Sequence, residues 1–140
     1  MAEKTAINRE KVATAPAAGL VVVNRHDWDV EASANNDTVE IGELPAYHRL
    51  LPEACSLFAN AAAPAMTVDV CVVDDTNKLF AAAAIAGGAF QRVAFSAYAL
   101  AETIGVAPIN RKIFLKLNVA PATSPAGAKL TAQIASYATT

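Results

Sequence analysis

The chain has 140 residues, of which 11 are Lys or Arg and 13 are Asp or Glu, giving a net charge of −2 at pH 7. A chain of this length is expected to form one domain around one core. Because acidic and basic residues are mixed along it, no basic surface for nucleic acid or anionic lipid is expected. Many of its hydrophobic residues are alanine, which buries little area, so packing against neighbours should add to stability.

No membrane span or secretory signal is expected. The longest alanine runs, 61–63 and 81–84, are far shorter than the roughly 20 apolar residues that a span requires. Residues 1–4 lead into polar sequence instead of an apolar signal core, which predicts a cytosol-like compartment. Cys55 and Cys71 are then expected to be free thiols that act as small buried hydrophobes.

Residues 1–18 are predicted to form an extended N-terminal arm. They show neither a helical nor a strand period, and they have too little apolar surface to fold alone. The rest of the chain, residues 19–140, is predicted to be a single β-sandwich domain. A partner surface is therefore expected to order the arm.

Roughly eight short strands are predicted in this domain. They span residues 20–23, 38–44, 50–58, 66–73, 79–85, 90–95, 112–119 and 129–137. The clearest of them alternate apolar and polar residues, which is typical of strands with one buried face. Their number and even spacing predict an all-β fold, an antiparallel, jelly-roll-like sandwich.

The segments between the strands carry weaker signals. The polar segment 24–29 is predicted as a loop, and residues 74–78 as the turn of a hairpin. Pro52 favours an edge or a bulge within the third strand, and a helix from Leu51 is the alternative. Residues 97–105 are the best helical candidate.

The alternation also predicts which side chains face the interior of the sandwich. The inward set is Val68, Val70, Val72, Ile113, Leu115, Leu117 and Val119. A slip of one residue would bury Lys112 and Lys116 instead, so this register is strongly favoured.

Histidines and aspartates offer two weak candidates for a metal site. His26 is followed by Asp27 and Asp29, but neither His26 nor His48 has a second histidine at metal-binding spacing, so a solvated loop is preferred.

The second candidate is Asp69 with Asp74 and Asp75. The pattern of a calcium loop is absent around them, and aspartate is common in turns because its side chain caps its own backbone. No serine lies in a Gly-x-Ser-x-Gly elbow. We therefore expect no catalytic residue, cofactor or metal.

Aromatic residues are few, so each large one is informative. Trp28, Tyr47 and Phe58 could form a patch for sugar stacking. The preferred interpretation is that they anchor the core or a subunit interface, because the many alanines leave the core lightly filled.

Three segments together resemble one known group of proteins. Residues 39–51 contain a strand that ends in Leu-Pro-Ala, residues 66–72 contain Thr-Val-Asp-Val, and residues 113–134 resemble a closing hairpin. The chain is similar in these segments to small β-sandwich proteins of tailed-phage virions, the capsid decoration or cement proteins. The segments cover about half of the chain.

The resemblance implies a non-enzymatic virion protein that is made in the host cytoplasm and lies on the capsid exterior. It implies a homo-oligomer, with a trimer favoured, that binds the major capsid protein across capsomer junctions. The long arm and residues 24–35 depart from the group's pattern and leave the position on the virion open. A tail, neck or baseplate subunit is one alternative, and a carbohydrate- or ligand-binding module that uses Trp28 and Tyr47 is another.

The candidate partner-binding residues are Ile7, Arg9, Val12, Pro16, Trp28 and Tyr47. In the arm, Ile7, Val12 and Pro16 are expected in shallow apolar pockets of a neighbouring subunit. Arg9, together with Lys4, Glu10 and Lys11, is expected to make polar contacts at the rim that set register more than affinity.

Overall fold

The computed structural model describes residues 2–5, 20–94 and 105–139. Most of the predicted arm, with Ile7, Arg9, Val12 and Pro16, and most of the helical candidate at 97–105 lie outside the described residues. The described part contains no helix long and apolar enough to cross a membrane.

The described residues form a two-sheet β-sandwich, which confirms the predicted fold class. Its strands are β1 (Glu3–Thr5), β2 (Val21–Asp29), β3 (Thr38–Leu44), β4 (His48–Leu50), β5 (Ser56–Ala59), β6 (Met66–Val72), β7 (Asp74–Ile85), β8 (Gln91–Ala94), β9 (Arg111–Val119) and β10 (Lys129–Ala138). Sheet A has the order β1-β3-β9-β6-β7. Sheet B has the order β2-β10-β5-β8, and β4 also pairs with β10.

The interior of sheet A follows the predicted register along most of β9. Ile113, Leu115 and Leu117 are fully buried, and Leu115 lies between Val39 on β3 and Val70 on β6. All pairings in this sheet are antiparallel except that of β1 with β3. The alternating pattern therefore gives the correct face for these strands.

The prediction for Val119 is wrong. Its side chain is 55% exposed, whereas the rest of the predicted inward set is buried. The register between β6 and β9 shifts here, because Val68 pairs with Leu117 but Thr67 pairs with Val119. Asn118 is thus an extra residue in β9, and such a bulge moves the following side chain to the other face.

The prediction of a loop at residues 24–29 is also wrong. This segment continues β2 to Asp29, paired residue by residue with β10. Asn24 and Trp28 are buried on its inner face, while Arg25 and Asp27 are exposed on its outer face. Because polar residues lie on both faces, this segment lacks the alternation of apolar and polar residues by which a strand is recognised in a sequence.

The predicted third strand, 50–58, is two strands separated by a turn. β4 ends at Leu50, a 3₁₀ turn covers Pro52–Ala54, and β5 begins at Ser56. Pro52 opens the turn, where its missing N–H costs no hydrogen bond. The continuous strand is therefore wrong, and of the alternative helix from Leu51 only this single 3₁₀ turn is formed, with Leu51 at its N-cap.

The predicted turn at 74–78 is displaced towards the N-terminus. The chain reverses at Val73, which has a left-handed φ of 67°, and β7 begins at Asp74. Asp74 still caps its own backbone, since its carboxylate accepts the N–H of Thr76 at 3.0 Å. The hairpin of β6 and β7 exists, but its reversal is tighter than predicted.

Candidate functional site

The carboxylates and imidazoles of the described residues do not gather into a metal or catalytic site. No group of three or more His, Cys, Asp or Glu among them could hold a metal ion. His26 and Asp27 project from opposite faces of β2, because neighbouring residues of a strand point in opposite directions. Asp27 instead accepts the hydroxyl of Thr131 at 2.6 Å, and Asp29 pairs with Lys129 at 3.7 Å.

His26 is a packing residue between the two sheets. Its Nε2 is buried without a hydrogen-bond partner, and its Cδ2 lies 3.7 Å from where a Cβ on Gly42 would be. Burial lowers the pKa of His26, and the nearby carboxylates of Glu43 and Asp27 only partly oppose this. The ring is therefore uncharged at neutral pH and contributes packing.

Asp69 is the centre of a buried polar cluster on the outer side of sheet A. Its side chain accepts the N–H of Ala82 at 2.7 Å and the amide of Asn118 at 2.8 Å, and it pairs with Lys78 at 3.1 Å. Burial raises the pKa of Asp69, but these hydrogen bonds outweigh it, so the net pKa is below its usual value. The carboxylate thus serves to hold β7 and β9 on β6.

The other two aspartates of the proposed calcium group have partners elsewhere. Asp74 caps its own turn, and Asp75 pairs with Lys116 at 3.4 Å. The three carboxylates therefore do not converge on a common point.

The three large aromatic residues singled out in the sequence do not form one patch. Trp28 is only 5% exposed and lies opposite Leu130, inside the core. Phe58 lies on the outer face of sheet B, where Arg25 covers its ring at 5.0 Å. Tyr47 lies beyond the other end of β10, about 27 Å from Leu130 at the usual rise per residue.

Tyr47 is displayed at the turn between β3 and β4. It is 48% exposed and has a left-handed φ of 60°. Its N–H donates to the carbonyl of Ala107 at 2.8 Å, and its carbonyl accepts the N–H of Thr139 at 3.0 Å. The backbone of Tyr47 is therefore held at both its N–H and its carbonyl, while its ring stays accessible.

The described start of the arm is held on the edge of sheet A as β1. It pairs in parallel with β3, and the carboxylate of Asp37 accepts the N–H of Ala2 at 2.8 Å. That hydrogen bond, with a second from Ala34, lowers the pKa of Asp37. Two ion pairs add to the contact, Lys4 with Glu31 at 2.7 Å and Glu3 with Lys112 at 3.4 Å.

A groove along β9 was not anticipated from the sequence. It encloses about 190 Å³ and is lined by Glu3, Thr38, Val73, Asp75, Lys112, Phe114 and Lys116. The ammonium of Lys112 lies 5.2 Å from the ring centre of Phe114. Lys112, Phe114 and Lys116 lie on one face of β9 because they are two residues apart. The other lining residues come from segments distant in sequence.

The fold is shared with a known viral protein. The chain is similar to a chain in the structure described as the capsid of Ralstonia phage GP4, with a TM-score of 0.74 and 24% sequence identity over 99% of this chain and 97% of that chain. No protein-family model matches the chain, and the comparison with curated proteins gave no significant match. At this identity, the likeness establishes a common fold over the whole chain.

Proposed function

We propose that this chain is a structural protein of a tailed-phage virion that decorates and stabilises the capsid by bridging major capsid protein subunits. The observation that carries the proposal is the end-to-end fold likeness to a chain of the Ralstonia phage GP4 capsid. The three segments that resemble decoration proteins give independent support from the sequence. In this proposal the chain lies on the capsid exterior, is made in the host cytoplasm and has no enzymatic role.

The exposed surface supports a role in protein contacts. Among the described residues, the large hydrophobic side chains on it are Leu20, Val21, Val23, Tyr47, Val73, Phe90, Val106, Ile109 and Val119. Leu20, Val21 and Val23 among them follow one another closely in the chain, and clustered exposed apolar side chains, unlike scattered ones, mark surfaces that other proteins cover. A sugar-binding platform is less well supported, because Trp28 is buried and far from Tyr47.

Two parts of the proposal concern partners. The chain acts as a homo-oligomer, with a trimer favoured by the resemblance, and its arm crosses a neighbouring subunit. Ordering the remaining residues of the arm, 6–18, costs on the order of 13–26 kcal/mol of backbone entropy, which a polar, Ala-rich segment does not recover alone. Ile7, Val12 and Pro16 are the proposed apolar contacts, and Arg9 is the proposed rim contact.

The decisive experiment is the copy number of this chain in purified virions, measured by quantitative mass spectrometry against the major capsid protein. A decoration protein approaches capsid-protein stoichiometry. A copy number of a few to a few dozen would instead support the tail, neck or baseplate alternative. Absence from the virion would reject both.

The arm is tested by deleting residues 2–18 and measuring retention on particles after dilution or mild heating. We expect a folded body and weaker retention. Because this deletion also removes β1, a triple variant with Ile7→Ser, Val12→Ser and Pro16→Ser is the matched control for loss of the apolar contacts alone. Unchanged retention of both variants would leave the body as the binding surface.

A further inference from the structure

Among the described strands, three of the four that form the outer edges of the sheets are protected against pairing with another strand. β1 has three residues and β8 has four. β7 is long, but its register with β6 shifts at three places and Ala82 within it has a left-handed φ of 54°. Short strands and bulges are the devices that keep sheet edges from recruiting foreign strands.

The outer edge of β2 has none of these devices. β2 spans nine residues and pairs with β10 from Val21 to Asp29 without a register shift. It contains neither proline nor lysine, and Val21 and Val23 are 54% and 51% exposed. Within the described ranges no strand pairs with its outer edge. A long, regular and partly apolar edge of this kind is a template for strand addition.

We propose that β2 pairs antiparallel with β2 of a second copy of this chain, across a two-fold axis at His26, so that sheet B continues through both copies. Arg25 of each copy then lies opposite Asp27 of the other, and Val23 lies opposite Asp29. The contact is self-complementary, as a two-fold interface requires. It goes beyond the proposed capsid role and stands on residues of this chain alone.

Charge selects this register among the neighbouring ones. A two-fold axis perpendicular to the sheet places the outer faces of both copies on the same side of the joined sheet. Such an axis sets one residue of β2 opposite the same residue of the other copy. An axis at Arg25 places Arg25 opposite itself, and an axis at Asp27 places Asp27 opposite itself. Like charges directly opposite each other are destabilising, whereas opposite charges attract. Only the axis at His26, between them, gives two attractive pairs and no repulsive one.

Two features of β2 are compatible with this register. His26 on the axis projects to the inner face, where burial keeps the ring uncharged, so two copies do not repel each other there. Arg25 and Asp27 project to the outer face and remain within reach of a neighbouring strand, even though they contact Phe58 and Thr131 in their own chain.

The pairing is tested first by the mass of the purified full chain in sedimentation experiments over a wide concentration range. We expect an even-numbered species, either a dimer or two trimers joined across the axis. Val23→Asp, which places a carboxylate opposite Asp29 of the other copy, should halve the mass. Val119→Asp is the matched control, because Val119 is equally exposed, at 55%, but lies away from β2. A monomer or a lone trimer for the native chain would overturn the proposal.

The register is tested by charge exchange. Arg25→Asp and Asp27→Arg each create two like-charge pairs and should raise the dissociation constant by on the order of tenfold. The double variant restores both attractive pairs and should recover native affinity. Melting temperatures of all variants separate lost association from lost folding. Failure of the double variant to recover association, with a native melting temperature, would overturn the proposed pairing.

Discussion

Replacing Asp69 with alanine should be among the most damaging changes outside the apolar core. The carboxylate is 4% exposed at its side chain and accepts the N–H of Ala82 at 2.7 Å and the amide of Asn118 at 2.8 Å. Hydrogen bonds to a charged acceptor contribute about 1.5–3 kcal/mol each. The pair with Lys78 adds less than about 1 kcal/mol, because that lysine is substantially exposed.

The expected loss for Asp69→Ala is therefore about 3–6 kcal/mol, a large share of the stability of a small domain. Urea unfolding followed by circular dichroism measures it. Asp75→Ala is the matched control, since Asp75 is also paired with a lysine but is 57% exposed, and its loss should stay below about 1 kcal/mol. Equal losses for the two variants would refute the reasoning that burial makes Asp69 important.

The same cluster predicts a pH dependence. Because the folded pKa of Asp69 lies below its unfolded value, its contribution is complete above the unfolded pKa of about 3.9. The contribution is lost as pH falls through the folded pKa. The stability difference between the native chain and Asp69→Asn should be constant from pH 5 to 8 and shrink below about pH 4. A difference that does not fall at all below about pH 4 would contradict the assignment.

Further predictions address strain, packing, metals and thiols. Val73→Gly should raise stability by about 0.5–2 kcal/mol in thermal unfolding, because a β-branched residue is strained at φ 67°. Leu115→Ala should cost about 2–5 kcal/mol and Val119→Ala less than about 0.5 kcal/mol in urea unfolding, which checks the bulge at Asn118. Dialysis against a chelator should leave the melting temperature unchanged, and a drop that calcium or zinc reverses would contradict this. Burial raises the pKa of Cys55 to about 11 and that of Cys71 to about 12, so neither should react with a thiol reagent at pH 8 until urea is added.

The sequence was most informative where the chain buries one face of a strand. In β6 and β9 the polar positions are solvated or ion-paired and the apolar ones meet in the core, so a period of two identifies both the strand and its inner face. Val119 departs from this pattern because a bulge is a property of the pairing between two strands. Nothing within residues 111–119 alone marks Asn118 as the extra residue.

The sequence was least informative where distant segments decide local structure. The polar residues from Asn24 to Asp29 form a strand because β10, more than a hundred residues later, pairs with them. The left-handed backbone of Tyr47 is held by hydrogen bonds with Ala107 and Thr139. Walls of the groove over Phe114 come from β1 and Val73. The resemblance indicated a virion protein but contained no information on these contacts.

The position of β10 in sheet B has a consequence for how the chain folds during synthesis. β10 pairs with β2, β4 and β5, so each of these strands lacks its main partner until residues 129–138 have been translated. Pairings between such distant segments form slowly, and the unpaired strand edges stay exposed until they form. Sheet B therefore completes its hydrogen bonding only after residue 138 has left the ribosome. A chain cut short before β10 leaves β2 and β4 without their paired strand, and β5 keeps only β8.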